Sequence, residues 1–434
     1  MPQPPSAAPR DEPVIRDRGD ACPGALRPHA ADDGFLARIR IPGGLLDGPA
    51  ALLLAEAADR LGDGHIDLTS RGNAQLRGLG ASCGGELESV LARAGLLPAP
   101  THERVRNVVA SPLTGLDRAG LPDVSAWVAE LDRLLCASPA AAELSGRFLF
   151  ALDDGRGDVV ALDGDITLAA HGTGGALLWT SGARRGVVVA ASEAPRAALA
   201  AALYFLDAVR ASGTRAWRVG ELPPEHALDV TELARRVGRG GEVADVPGRP
   251  PGPAPTPALG PIAGGPGGTV ALSVLAPLGR LSTAQWSRLA GLTGRMRLTP
   301  WRGIVVPGLP AEAAPRALAD LAAAGLVTSA EDPWRSVTAC TGQPGCAKSR
   351  ADVRADARSV VERSVGQLPV HWSGCERRCG HPRGAAWVDL VATPDGYALT
   401  APGRTPATTP RKDLAALADA LRAARTTPAT DPSQ

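Results

Sequence analysis

Residues 68–79 and 298–309 of this 434-residue chain align without a gap, Leu68-Thr69 through Gly78-Leu79 on Leu298-Thr299 through Gly308-Leu309. The sequence before each segment matches as well. The alternating run Phe35-Leu36-Ala37-Arg38-Ile39-Arg40-Ile41 reads as a strand and corresponds to Thr269-Val270-Ala271-Leu272-Ser273-Val274-Leu275. Each run meets a Pro/Gly turn and then a helical stretch, over 48–61 in one copy and 282–292 in the other. A second strand follows, over 65–69 or 295–299. Downstream, Arg106-Asn107-Val108-Val109-Ala110-Ser111 starts 27 residues after Leu79, and Arg335-Ser336-Val337-Thr338-Ala339-Cys340 starts 26 after Leu309. Matching order and spacing over such a length argue against a chance likeness of apolar strands. The repeat demands two similar halves packed about a pseudo-twofold axis. Between them, residues 240–268 are rich in Pro and Gly and lack apolar periodicity, as a linker does.

The two copies differ at one chemically loaded position. Ser111 stands where the second copy has Cys340, and Cys340 opens a quartet: Cys340 and Cys346 as C-x5-C, then, after 28 residues, Cys375 and Cys379 as C-x3-C. Four thiolates in two pairs suit a 4Fe–4S cube, one for each iron. Structural zinc is the alternative, but its paired cysteines are usually two to four residues apart. Unrelated thiols are the remaining reading. Seven cysteines without a secretory signal argue against a disulfide framework. Cys83 and Cys136 have no partner spacing and read as structural thiols.

At this length two or three domains are expected. A net charge of +1 gives no overall pull toward nucleic acid or an acidic membrane. The balance hides a bias that matters for chemistry. Of 46 basic residues only Lys348 and Lys412 are lysine, so any site that needs two lysines must use these. Residues 1–18 and 427–434 read as loose tails, the first of them unlike a signal peptide. The longest apolar stretch, 197–206, lies between Arg196 and Asp207 and is far short of a membrane span. A soluble, cytoplasmic, monomeric protein is expected.

Over nearly its whole length the chain resembles the sulfite and nitrite reductase family. Thr69-Ser70-Arg71-Gly72-Asn73-Ala74-Gln75-Leu76-Arg77 is similar to that family's first macrocycle-facing strand, and Arg106-Asn107 to its second arginine motif. Ala339-Cys340-Thr341-Gly342-Gln343-Pro344-Gly345-Cys346 and Ser373-Gly374-Cys375-Glu376-Arg377-Arg378-Cys379-Gly380-His381-Pro382 resemble its two cluster loops. The resemblance implies an α+β fold of two pseudo-symmetric halves. Each half is a ferredoxin-like subdomain plus a nitrite/sulfite reductase-like α/β subdomain, and the second carries the 4Fe–4S cluster. The expected boundaries are 19–98 and 99–239 for the first half, and 269–332 and 333–426 for the second.

In the family's reductases siroheme sits beside the cluster, and two arginines with two lysines hold the anionic substrate. The arginines correspond to Arg71 and Arg106. The lysines belong in the strand expected at 146–150, where this chain has Arg147 and Leu149. Lysine can supply protons to an oxyanion under reduction; arginine keeps its proton. The motif Asp20-Ala21-Cys22-Pro23-Gly24-Ala25-Leu26-Arg27, the 374–382 ending and the missing lysines are most similar to a family branch that acts on precorrin-3A in aerobic cobalamin synthesis. A site for a tetrapyrrole cofactor would then take a tetrapyrrole substrate, and siroheme is not expected.

That resemblance implies O2-dependent monooxygenation: a hydroxyl placed on the macrocycle next to ring A, and a ring A acetate closed into a γ-lactone. Two electrons would pass through the cluster from a separate NADH-linked reductase or ferredoxin, since no nucleotide fingerprint is legible. Arg71, Arg77, Arg106 and Arg147 are the candidates for the substrate's carboxylates, because guanidinium forks bind carboxylates bidentately. Arg377 and Arg378, between cluster ligands, could offset cluster charge or touch propionates. A further mononuclear non-haem iron is implied, but no triad of two histidines and a carboxylate is legible for it. His381, His371 and Cys22 are the candidate contacts, each weighed against an ordinary core, surface or turn role. Two alternatives stay open: a siroheme-dependent sulfite or nitrite reductase, and a non-catalytic electron-transfer subunit.

Overall fold

The computed structural model describes residues 20, 22–238, 242–248, 256–382, 386–410 and 413–426. The expected tails at 1–18 and 427–434 lie outside these residues, as do Lys412 and parts of the 240–268 segment. The chain divides into two units that do not follow it serially. One takes residues up to Arg27, Ile39–Leu45 and Gly95–Thr256; the other takes Pro28–Arg38, Leu46–Ala94 and the chain from Pro257 onward.

The second unit holds both copies of the strand–helix–strand segment. One five-stranded sheet runs in the order His29–Ala31, Gly34–Ile39, Ala74–Leu79, His65–Leu68, Arg280–Ser282. The other runs Gly260–Ala263, Val270–Leu275, Gly303–Leu309, Arg295–Leu298, Leu45–Asp47. The last strand of each sheet comes from the other copy. In the first sheet Arg280 pairs with Asp67, Leu281 with Ile66 and Ser282 with His65, all antiparallel. The exchange follows a Pro/Gly turn in each copy, Pro42–Gly44 and Pro277–Gly279, which carry left-handed residues at Gly43 (φ 62°) and Leu278 (φ 56°).

Each exchanged strand runs directly into a helix whose start is fixed by its own side chain. Asp47 accepts from the Ala50 N–H at 2.7 Å to cap Gly48–Leu61, and Ser282 with Gln285 forms a capping box on Thr283–Thr293. The two helices pack together, with the fully buried Trp286 donating its indole N–H to the Ala51 carbonyl at 2.8 Å.

A second structural repeat is visible in the remaining sheets. In the first unit, Val108–Ala110, Phe150–Asp153 and Ile166–His171 are parallel neighbours, and Gly175–Thr180, Arg185–Ala190 and Val243–Asp245 continue the sheet antiparallel. In the second unit, Val337–Ala339, Val370–Ser373 and Val388–Ala392 are parallel, followed antiparallel by Gly396–Thr400 and Ala407–Pro410. The first sheet's core includes Phe148, Phe150, Phe205 and Leu131; the second's includes Trp372, Tyr397, Leu390 and Leu417.

Two details depart from the sequence reading. The 240–268 segment contributes edge strands at both ends, Val243–Asp245 and Gly260–Ala263. An edge position tolerates Pro261, whose missing N–H costs no ladder bond there. The strand expected at 146–150 begins only at Phe150, so Arg147 precedes it.

Candidate metal centre

Parallel strands place loops from their carboxyl ends side by side, where α/β sheets commonly bind ligands. Cys340 follows Val337–Ala339 at once, and Cys375 lies two residues beyond Val370–Ser373. The Cys340 N–H donates to the Trp372 carbonyl at 2.9 Å, prolonging the ladder into the first cysteine. The Gly374 N–H donates to Cys340 Sγ at 3.1 Å, and the Arg350 N–H donates to the Gly374 carbonyl at 2.8 Å, so the loops are tied to each other. Gly374 has no room for a side chain, since a Cβ would stand 1.9 Å from Ser349 Oγ.

Three of the thiols act on the fourth. The Cys379 thiol is pushed up first by burial and then by Cys340, Cys375 and Cys346, with Arg377 drawing it down. None of the four is in a disulfide. Among the described residues no three His, Cys, Asp or Glu side chains gather closely enough to grip a single ion. Two tied loops, four free thiols and an N–H aimed at sulfur are what a cube's thiolate ligands require. The residues fit a 4Fe–4S cluster.

Among the described residues, no group of three His, Cys, Asp or Glu offers the expected mononuclear iron a site. His371 is fully buried, with Nδ1 2.9 Å from the Thr338 hydroxyl and Nε2 3.2 Å from the Cys379 carbonyl. A carbonyl only accepts, so Nε2 carries the proton and Nδ1 accepts from Thr338. No lone pair is left for a metal. Burial, with Arg302 nearby, pushes its pKa down to about 4, so this ring is a neutral strut under the Cys375–Cys379 loop. His381 is exposed, its ring stacked on Trp387 with centroids 5.6 Å apart and Nδ1 2.8 Å from the Pro382 carbonyl. In the first unit, Cys22 sits in a turn beside the buried Arg40, which donates to its sulfur at 3.2 Å and to the Gly146 carbonyl at 3.3 Å.

The candidate arginines differ in what they hold. Arg106 is buried and spends its fork on Asp132, two bonds of 2.7 Å, with a third to the Leu96 carbonyl at 2.9 Å. Arg77 is equally buried and grips Asp33 with two bonds of 2.8 Å and the Gly345 carbonyl with a third. Both guanidiniums, expected to bind substrate, spend their forks on these carboxylates here. Arg71 is half-buried, in a turn where Thr69 Oγ1 accepts from the Arg71 and Asn73 N–H groups. Arg147 is exposed and lies 4.8 Å over the Trp217 ring. Arg378 is paired with Asp389 and Glu376.

Residues the sequence reading passed over hold the loops in place. Asp33 orients Arg77 toward Gly345, and the neighbouring Asp32 accepts from the Ala347 N–H. Together they clamp the stretch that carries Cys346. Arg354 donates to the Cys340 carbonyl at 3.3 Å and to Asp67 at 3.3 Å. Position 111 of the first unit, the counterpart of Cys340, is closed by a carboxylate network. Ser111 Oγ donates to Asp158 at 2.6 Å, and Asp154 pairs with Arg156 at 2.6 Å. The adjacent Asp153-Asp154 at the end of the strand Phe150–Asp153, where the second copy has Ser373-Gly374, was the signal available for it.

Comparison with known proteins agrees with this architecture. The nitrite/sulfite reductase ferredoxin-like half domain matches residues 27–91 and again 263–324, which are the two copies. A precorrin-3B synthase of Sinorhizobium is 28% identical over 90% of this chain and 84% of its own. A ferredoxin–nitrite reductase of Synechococcus elongatus is 26% identical over 80% and 74%. The structure of the Mycobacterium tuberculosis NirA protein superposes with a TM-score of 0.71 at 21% identity, covering 89% of this chain and 79% of that one. The expected α+β fold of paired ferredoxin-like and reductase-like parts is borne out. Residues 27–91 and 263–324 are thus two copies of the nitrite/sulfite reductase ferredoxin-like half domain, set in a fold similar to that of the NirA protein.

Proposed function

We propose that this chain is a precorrin-3B synthase, an oxidoreductase that uses O2 to hydroxylate precorrin-3A and close its ring A acetate into a γ-lactone. The observation that carries the reading is similarity to the Sinorhizobium enzyme along 90% of the chain. The absence of an ammonium group at 147 and 149, where the resemblance puts the reductases' lysines, supports it. Arg147 is turned onto Trp217 and Leu149 is buried. A guanidinium does not release its proton in proteins, so it serves poorly as proton source for an oxyanion under multi-electron reduction.

The reaction consumes O2, two electrons and two protons; one oxygen atom enters the product and the other leaves as water. When bound on Cys340, Cys346, Cys375 and Cys379, the cluster supplies those electrons one at a time. The chain's own residues hold and orient. Arg77, Asp32 and Asp33 fix the Cys346 loop, and His371 and Thr338 fix the Cys379 loop. Arg71 is the fork for a substrate carboxylate. A ferredoxin or a separate reductase is the electron donor in this reading.

Turnover decides it. Purified protein with precorrin-3A, a reductant and labelled O2 is expected to give a product heavier by one labelled oxygen atom. Reduction of sulfite or nitrite at the rates of dedicated reductases, with precorrin-3A unchanged, contradicts it.

A further inference from the structure

The turn between Arg295–Leu298 and Gly303–Leu309 repeats two bonds of the turn that carries Arg71. Thr69 Oγ1 accepts from the Asn73 N–H at 3.1 Å, and Thr299 Oγ1 from the Gly303 N–H at 3.0 Å. The Gly72 N–H donates to the Thr69 carbonyl at 3.2 Å, and the Arg302 N–H to the Thr299 carbonyl at 3.1 Å. The turns touch, since a Cβ on Gly72 would come 3.0 Å from the Leu298 carbonyl. Where the first turn has Gly72 at φ 65°, the second holds Arg302 at φ 62°. A residue with a side chain adopts that backbone at a cost, and such strain is concentrated at functional sites.

The side chain has a prepared path. A Cβ on Gly279 would lie 2.6 Å from Arg302 Cδ, and a Cβ on Gly380 would lie 3.0 Å from an Arg302 terminal nitrogen. Two glycines therefore clear the way to the segment just past Cys379. At the end of that path the charges do not balance. Asp67 is the carboxylate that favours the Arg302 charge, but its two oxygens are taken by Arg280 at 3.1 Å and Arg354 at 3.3 Å. His371 faces Arg302 with both nitrogens engaged. Among the described residues the Arg302 guanidinium has no hydrogen-bond or ion-pair acceptor. Half-buried in a surplus of positive charge, it lacks an anion. Arg377 is a cation that draws the Cys379 thiol down.

We propose that Arg302 binds a carboxylate of the tetrapyrrole substrate, beside the Cys375–Cys379 loop and from the turn adjoining that of Arg71. This rests on the reading of the chain as an enzyme of a polycarboxylate tetrapyrrole. The bond would be a charge-assisted fork, worth about a ten- to hundredfold change in affinity.

The test uses full-length, cluster-loaded protein titrated with precorrin-3A without O2, the affinity read from the tetrapyrrole's absorbance. R302G keeps the left-handed backbone and removes the whole side chain; R302K keeps the stem and the charge and removes only the fork, and thermal unfolding checks that both variants fold. Arg316, 91% exposed, serves as control through R316Q. R302G is expected to bind about ten- to a hundredfold more weakly, R302K in between, and R316Q like the wild type, with the cluster's midpoint potential unchanged in all. Equal affinity in R302G and wild type overturns the assignment. So does a shifted potential with unchanged affinity, which gives the guanidinium to the cluster. If the wild type itself does not bind precorrin-3A, the functional reading fails and the assignment with it.

Discussion

Arginine is nearly the sole cation of this chain, and what each one does depends on the acceptor beside it. Arg106, read from the sequence as a substrate fork, is 4% exposed and locked to Asp132. Its replacement in R106Q leaves Asp132 without its partner and is expected to cost about 3 kcal/mol in denaturant unfolding, with tetrapyrrole affinity of the folded protein unchanged. Weaker binding without loss of stability would instead put Arg106 in the site. Asp158 gives a pH signature. Burial, reinforced by Asp153 and Asp154, holds its pKa up to about 7 against an ordinary 3.8. A carboxyl raised in this way takes up a proton on folding between those values. Its contribution is therefore full below about pH 4 and is lost as pH rises through about 7. Unfolding free energy should fall across that window by at most about 1.4 kcal/mol per pH unit, and D158N should flatten the fall. A wild-type profile already flat there contradicts the raised pKa.

At the scale of elements, the repeat was legible because both copies keep the order strand, turn, helix, strand and the ungapped register of 68–79 on 298–309. The strand exchange was not. Arg280–Ser282 and Leu45–Asp47 are three residues each, and nothing in so short a run says which sheet will accept it. The cysteine loops were legible from spacing alone, whereas their supports were not. Asp33 lies far from Gly345 in sequence, and an arginine such as Arg302 carries no contrast among so many others. The supports make a prediction: R77Q frees the Gly345–Cys346 segment from Asp33, so the cluster should be lost to a chelator about tenfold faster than in the wild type. Unchanged bleaching would mean that Asp32 and the Arg350–Gly374 link hold the loop without it.

The whole molecule is one plan used twice and then specialised. Both copies end in a sheet whose first three strands are parallel, and both open a loop after the first of them. The second copy fills its loops with thiols; the first fills the matching place with Ser111, Asp153, Asp154 and Asp158, three of them carboxylates. This explains why a single cluster is expected. It does not by itself say what lies beside it, because the chain is similar both to a precorrin-3B synthase and to a ferredoxin–nitrite reductase. The central proposal is that a tetrapyrrole lies beside the cysteine loops here as a substrate. Anaerobic purification followed by iron, sulfide and siroheme analysis tests it most directly. The account predicts about four irons and about four sulfides per chain with no siroheme; one siroheme bound per chain would contradict it.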